Sequence, residues 1–214
     1  MTTSLRRTLL VAPPLAVAGV LLIHPTDQEA TIYESVRDQI GPWLTVHLVL
    51  LVGFPLLALA TYVLLDGLVG RAATVARVSL LFFLAFYTAY EAIVGLATGI
   101  AAEYANGLDG AARGGAAAVI EELNRHWIVN TAVMVGSIAW IVAMVATAVA
   151  VQRVGVRWPA LALLGVSAIF VLHPPPFGPV ALVAFAAAAT LIERTRTRTA
   201  AERTAADGTA PVPA

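Results

Sequence analysis

The chain contains no cysteine and no lysine. The first absence excludes disulfides, thiolate-held metals, thiol nucleophiles and covalently attached c-type haem, which needs a CxxCH motif. The second leaves arginine to carry all 13 basic charges. Charge of either sign is scarce: 12% of the 214 residues are charged, about half the share usual in a soluble domain. The formal net charge is zero, and the arginines have another explanation given below, so a nucleic-acid partner is not expected. Phosphate-binding glycine loops, GxGxxG, HExxH and GxSxG are also missing. The stretches expected on the cytoplasmic side are too short for a folded catalytic domain.

What is present in excess is apolar sequence, at 59% of the chain and a mean hydropathy of +0.84. It falls into long runs that a bilayer can bury and a soluble core cannot. The pattern predicts an all-α membrane protein, a six-helix transmembrane bundle spanning residues 1–192, with helices at about 8–24, 43–65, 74–100, 121–151, 158–172 and 179–192. The second, third and fourth are long enough to cross ~30 Å of hydrocarbon. The last two have about 15 apolar residues each, near 22 Å at 1.5 Å per residue, and also read as a short membrane-embedded hairpin. Ala16-Val17-Ala18 resembles a signal-peptidase site, but the apolar run continues past it to Ile23, so an uncleaved first helix is expected. Residues 193–214, alternating Arg with Thr before Ala, Gly and Pro, read as a disordered tail.

Arginine placement predicts orientation. Arg6, Arg7, Arg71, Arg77, Arg153, Arg157, Arg194, Arg196, Arg198 and Arg203 occupy the start, alternate loops and the tail. Arg37, Arg113 and Arg125 fall on the opposite side, among most of the acidic residues. By the positive-inside rule both termini are cytoplasmic, in a multi-pass protein of the cell membrane. The arginine-rich tail could also meet anionic lipid headgroups.

On that topology the four histidines gather at the outer side. His24 and His173 end outward-running helices, each followed directly by proline, while His47 and His126 lie near the outer starts of their helices. Glu91 falls inside the third helix, ~21 Å from its inner end, where an ionisable group needs a partner or a wet cavity. Tyr87 shares its face. Glu122, His126, Asn130 and Ser137 recur at helical spacing and make one polar stripe if residues 121–151 form a single helix. An outward-opening pocket is therefore expected, with His24, His47, His126, His173 and Glu91 as metal or haem ligands and Tyr87, Glu122, Asn130 and Ser137 lining it. Neutral imidazole is the commonest metal ligand, which admits a transition metal ion. A pair such as His47 and His126 would suit b-type haem, with Gly53, Gly95, Gly99 and Gly136 offering room for a porphyrin. Redox or metal-dependent chemistry follows from either; catalytic residues are not identifiable.

Three bland readings stand beside these. Terminal histidines meet headgroups or cap carbonyls, His47 and His126 sit within an aromatic belt beside Trp43 and Trp127, and a protonated Glu91 can glue helices together. On those terms no cofactor binds. The chain would then be a small proton-coupled transporter using Glu91, or an accessory subunit docking on a partner membrane protein.

Overall fold

The computed structural model describes residues 2–26 and 29–208. Among them the regular structure is entirely helical: α1 (Thr3–Leu21), α2 (Ile32–Arg37), α3 (Ile40–Leu64), α4 (Arg71–Tyr90), a π-helical turn (Glu91–Ala97), α5 (Thr98–Asn106), α6 (Gly110–Arg125), α7 (Trp127–Gln152), α8 (Trp158–Ser167) with a 3₁₀ turn (Ala168–Val171), and α9 (Phe177–Gly208). Five stretches have the length and apolarity of a membrane span: Thr3–Leu21, Ile40–Leu64, Arg71–Asn106, Trp127–Gln152 and Phe177–Thr199. The sixth expected span, Trp158–Val171, is shorter. It stops where it does for local reasons. The Ser167 hydroxyl bonds back to the Leu164 carbonyl (2.6 Å), the Ser167 carbonyl accepts from Trp140 Nε1 (3.0 Å), and the prolines after His173 lack the N–H a helix needs.

Two further boundaries differ from expectation. Residues 121–151 do not form one helix: His126 adopts extended backbone (φ −61°, ψ 135°), separating α6 from α7 and capping the latter. α9 continues through residues 193–208, where the sequence suggested disorder. Thr195, Thr197 and Thr199 hydroxyls bond to carbonyls one turn back, and Arg198 pairs with Glu202 at 2.8 Å. Such i, i+4 pairing supports an Ala-rich helix. The end of the expected tail, 209–214, lies outside the described residues.

The helices pack chiefly as α4 on α7, α1 between α3 and α9, and α8 on α9. Their shared core is aromatic: Phe54, Phe83, Tyr87, Trp140, Phe170 and Phe185 are all fully buried. Neighbouring rings stand 4.8 to 5.9 Å apart along the chain Tyr87–Phe54–Phe83–Trp140–Phe170, in tilted and edge-to-face geometry. The opposite faces are apolar too, with Leu48, Leu81 and Ile138 more than half exposed. A helix that is apolar all round belongs in a bilayer, where such residues meet lipid.

A second, smaller core lies where α2, α5 and α6 meet, around Tyr33, Val36, Ala102, Ala105 and Ile120. Polar bonds hold it. The first N–H groups of α2, from Ile32 and Tyr33, donate to the Glu121 carboxylate, and the Tyr33 hydroxyl donates to Asn106 Oδ1 (2.7 Å). A carboxylate at a helix N-terminus satisfies otherwise orphaned donors and the helix dipole together. The bundle thus has two unlike ends. Arg6, Asp66, Arg77 and Glu193 meet at one; the histidines and this small helical cap lie at the other.

Candidate metal centre

Three histidines from distant parts of the chain converge at the capped end. His24, His47 and His173 each present one ligand nitrogen such that the three lie within 4.8 Å of one another. The His24 ring centroid stands 5.1 Å from that of His47 and 5.3 Å from that of His173.

Local structure explains each placement. After Leu21 the backbone tightens, with N–H groups of Leu22, Ile23 and His24 bonding three residues back, and Pro25 then prevents continuation. His24 is thereby left at the helix exit, folded inward and 8% exposed. His47 lies on the inner face of α3, 2% exposed. His173 precedes Pro174-Pro175-Pro176, and α9 starts immediately behind it. A side chain at Gly178 would run into the His173 carbonyl, so glycine is what lets the first turn of α9 close over this loop.

The hydrogen bonds fix which nitrogen of each ring faces the centre. His24 Nδ1–H donates to the Pro25 carbonyl (2.6 Å) and His47 Nδ1–H to the Trp43 carbonyl (2.6 Å). The Tyr87 hydroxyl donates to the Val171 carbonyl (3.1 Å), which leaves its oxygen to accept from His173 Nδ1–H (3.2 Å). In each ring that leaves Nε2 as the nitrogen available to a ligand, and Nε2 of His24 has no hydrogen-bond partner. An oxygen acceptor on the far nitrogen is the usual support for a metal-ligating imidazole. Burial pushes His24 below the ordinary imidazole value, against the opposing effect of the Pro25 carbonyl. Burial does the same to His173, helped by the neighbouring His24 and His47.

Glu91 is not one of the three residues whose ligand atoms lie within 4.8 Å of one another, but it stands next to His47. Its side chain is 1% exposed, and Oε1 lies 3.7 Å from His47 Nε2, too far for a hydrogen bond. Both Glu91 Oε1 and His24 Nε2 are buried without a hydrogen-bond partner. Glu91 opens the π-helical turn, and the carbonyl of Gly95 within that turn accepts from Trp43 Nε1 (2.7 Å). Trp43 in turn stacks on His47 at 4.3 Å between centroids. Any side chain at Gly95 would occupy the place of the His47 ring.

The remaining sequence candidates lie elsewhere. His126 is the N-cap of α7, its Nδ1 accepting from the Ile128 N–H at 3.4 Å. Asn130 is exposed and donates to the carbonyls of Arg125 and His126, and Glu122 is exposed on α6. Ser137 is half-buried on α7. The stripe that linked them required one unbroken helix, and the extended backbone at His126 breaks it. Tyr87 does reach the centre, as a support for His173. The glycines offered for a porphyrin are closed up by protein: Val17 at Gly53, His47 at Gly95, Leu44 and Trp43 at Gly99, Tyr87 at Gly136. Sequence reasoning missed the role of Trp43. Its position four residues before His47 was a readable signal, whereas the Pro25 and Val171 carbonyls and the π-turn left none.

No family model matches the chain, and neither curated proteins nor solved structures yield a match. The functional reading therefore rests on these residues alone.

Proposed function

We propose that this membrane protein binds a transition metal ion through Nε2 of His24, His47 and His173, at the end of the bundle that faces away from the cytoplasm. The observation that carries the reading is the convergence of three imidazoles within ligand spacing, each with its other nitrogen held by an oxygen. Three such nitrogens suit Zn²⁺ or a copper ion. A bare ion is favoured over b-type haem. Haem iron takes axial ligands from opposite faces of a flat macrocycle, and here a third imidazole and the core side chains fill that space. The orientation rests on the arginine distribution, which also assigns both termini to the cytoplasmic side of the cell membrane.

Metal analysis of the purified protein after exposure to zinc or copper tests the reading. The expected result is about one ion per chain, from one three-histidine centre, with binding abolished in His47→Gln/His173→Gln. Equal metal content in the wild type and that double variant would refute it.

A further inference from the structure

The three-histidine reading leaves open what fills the fourth position of the metal, and Glu91 supplies an answer. We infer that Glu91 is the fourth protein ligand, so that the site is a closed His₃Glu centre in which the ion ties the bundle together rather than holding a reactive water. The inference rests on the metal reading above.

Three observations carry it, together with the balance of charge. The 3.7 Å between Glu91 Oε1 and His47 Nε2 exceeds a hydrogen bond but lies close to the edge of a tetrahedron with ~2.0–2.1 Å metal bonds, about 3.4 Å. The two atoms that would touch the ion, Glu91 Oε1 and His24 Nε2, are both inaccessible to solvent and without partners. Each would cost free energy left that way, and a shared ion relieves both. Charge points the same way. Three neutral imidazoles leave a dication with its full charge in apolar surroundings, a heavy desolvation penalty, and a carboxylate removes half of it. Finally, Glu91 is the first residue of a π-turn fastened to Trp43. Such turns insert an extra residue into a helix and are concentrated at functional sites, because they re-aim the side chains around them.

The consequence is mechanical. The four ligands come from the exit of α1, from α3, from the π-turn after α4 and from the loop before α9. One ion would therefore cross-link four segments that a few hydrogen bonds, such as Trp43 to the Gly95 carbonyl and Tyr87 to the Val171 carbonyl, already join, and its binding energy becomes folding energy.

Cobalt(II) is the suitable probe, since its visible spectrum reports coordination number and exchangeable ligands. Cobalt-loaded wild type should show a four-coordinate spectrum that excess azide leaves unchanged. Glu91→Gln should bind cobalt at least about 100-fold more weakly, beyond the range seen on losing an outer support, and its spectrum should respond to azide. An azide-sensitive wild-type spectrum would mean an open, water-bearing position and would overturn the inference without any variant having to fold. So would Glu91→Gln holding cobalt with unchanged affinity. Failure of the wild type to take up cobalt has a different signature and would sink the three-histidine reading itself.

Discussion

The two ends of the bundle solve the same problem, polar groups next to a membrane, in opposite ways. At the arginine end, groups of opposite charge satisfy one another. Arg6 donates twice to Glu193 (2.7 and 3.0 Å) and once to Asp66 (3.1 Å), Arg196 donates to the same glutamate (3.2 Å), and Arg77 caps the Leu65 and Leu68 carbonyls at the end of α3. At the histidine end, the rings are held from behind by oxygens while His24 Nε2 and Glu91 Oε1 are buried without a partner. A paired network explains itself as structure. At the arginine end the bare buried Arg196 Nη2 belongs to a group already paired with Glu193, whereas at the other end a bare imidazole nitrogen and a bare carboxylate oxygen lie in one cluster of potential ligands. That contrast, more than the presence of histidine, separates site from scaffold here.

The largest test of the contrast is Arg6→Ala. Arg6 and Glu193 are only 16% and 14% exposed at their side chains, so removing the guanidinium strips a largely buried carboxylate of its bidentate partner. Loss of such a partner costs about 3–5 kcal/mol in a protein interior. Arg196 remains bonded to Glu193, which brings the expectation down to about 2–3 kcal/mol against that range. Thermal unfolding in detergent measures it, and metal affinity at the other end should be unchanged. A variant that lost metal without losing stability would reverse the assignment of the two ends.

A second test uses acid, and its sign follows from burial. In the unfolded chain an imidazole takes up its proton near pH 6.5. In the folded metal-free protein His24 and His173 do so only at lower pH. Below pH 6.5 the unfolded state therefore binds more protons, and stability, fully present above that pH, is lost as pH falls toward the folded values. The slope is at most about 1.4 kcal/mol per pH unit for each ring. Unfolding of metal-free protein between pH 7 and 5 should show it, His24→Gln/His173→Gln should reduce it, and Arg6→Ala should keep it. A double variant with an undiminished slope would place the acid-sensitive groups elsewhere.

How much of this was legible from sequence follows the physics of each signal. Long apolar runs are direct evidence of spanning helices, and α3, α4 and α7 lie where hydropathy places them. α8 and α9 blurred because hydropathy weighs composition, while their ends depend on Ser167, the prolines after His173 and threonine back-bonds. His24 and His173 were visible through the proline that follows each. Glu91 was visible as a charge inside an apolar run. What the sequence could not show was rotation: the break at His126 takes that histidine out of the cluster, Glu91 opens a π-turn beside His47, and neither feature alters hydropathy.

His126 offers the smallest and most discriminating comparison, histidine against histidine. By composition and topology it was the equal of His47, each within one turn of a tryptophan near the start of a spanning helix. The structure gives it a different task. Its ring stands over Trp127 at 6.0 Å and caps α7 by accepting the Ile128 N–H at 3.4 Å, a long bond. Replacing a good N-cap by alanine costs about 0.5–2 kcal/mol, and a bond this long belongs at the lower bound. His126→Ala should therefore unfold only slightly more easily, by about 0.5 kcal/mol, and should bind metal like the wild type in the assay that His47→Gln/His173→Gln fails. If His126→Ala instead lost the ion, α7 would have to bring its N-terminus into the cluster, and the centre would be built from a different set of three.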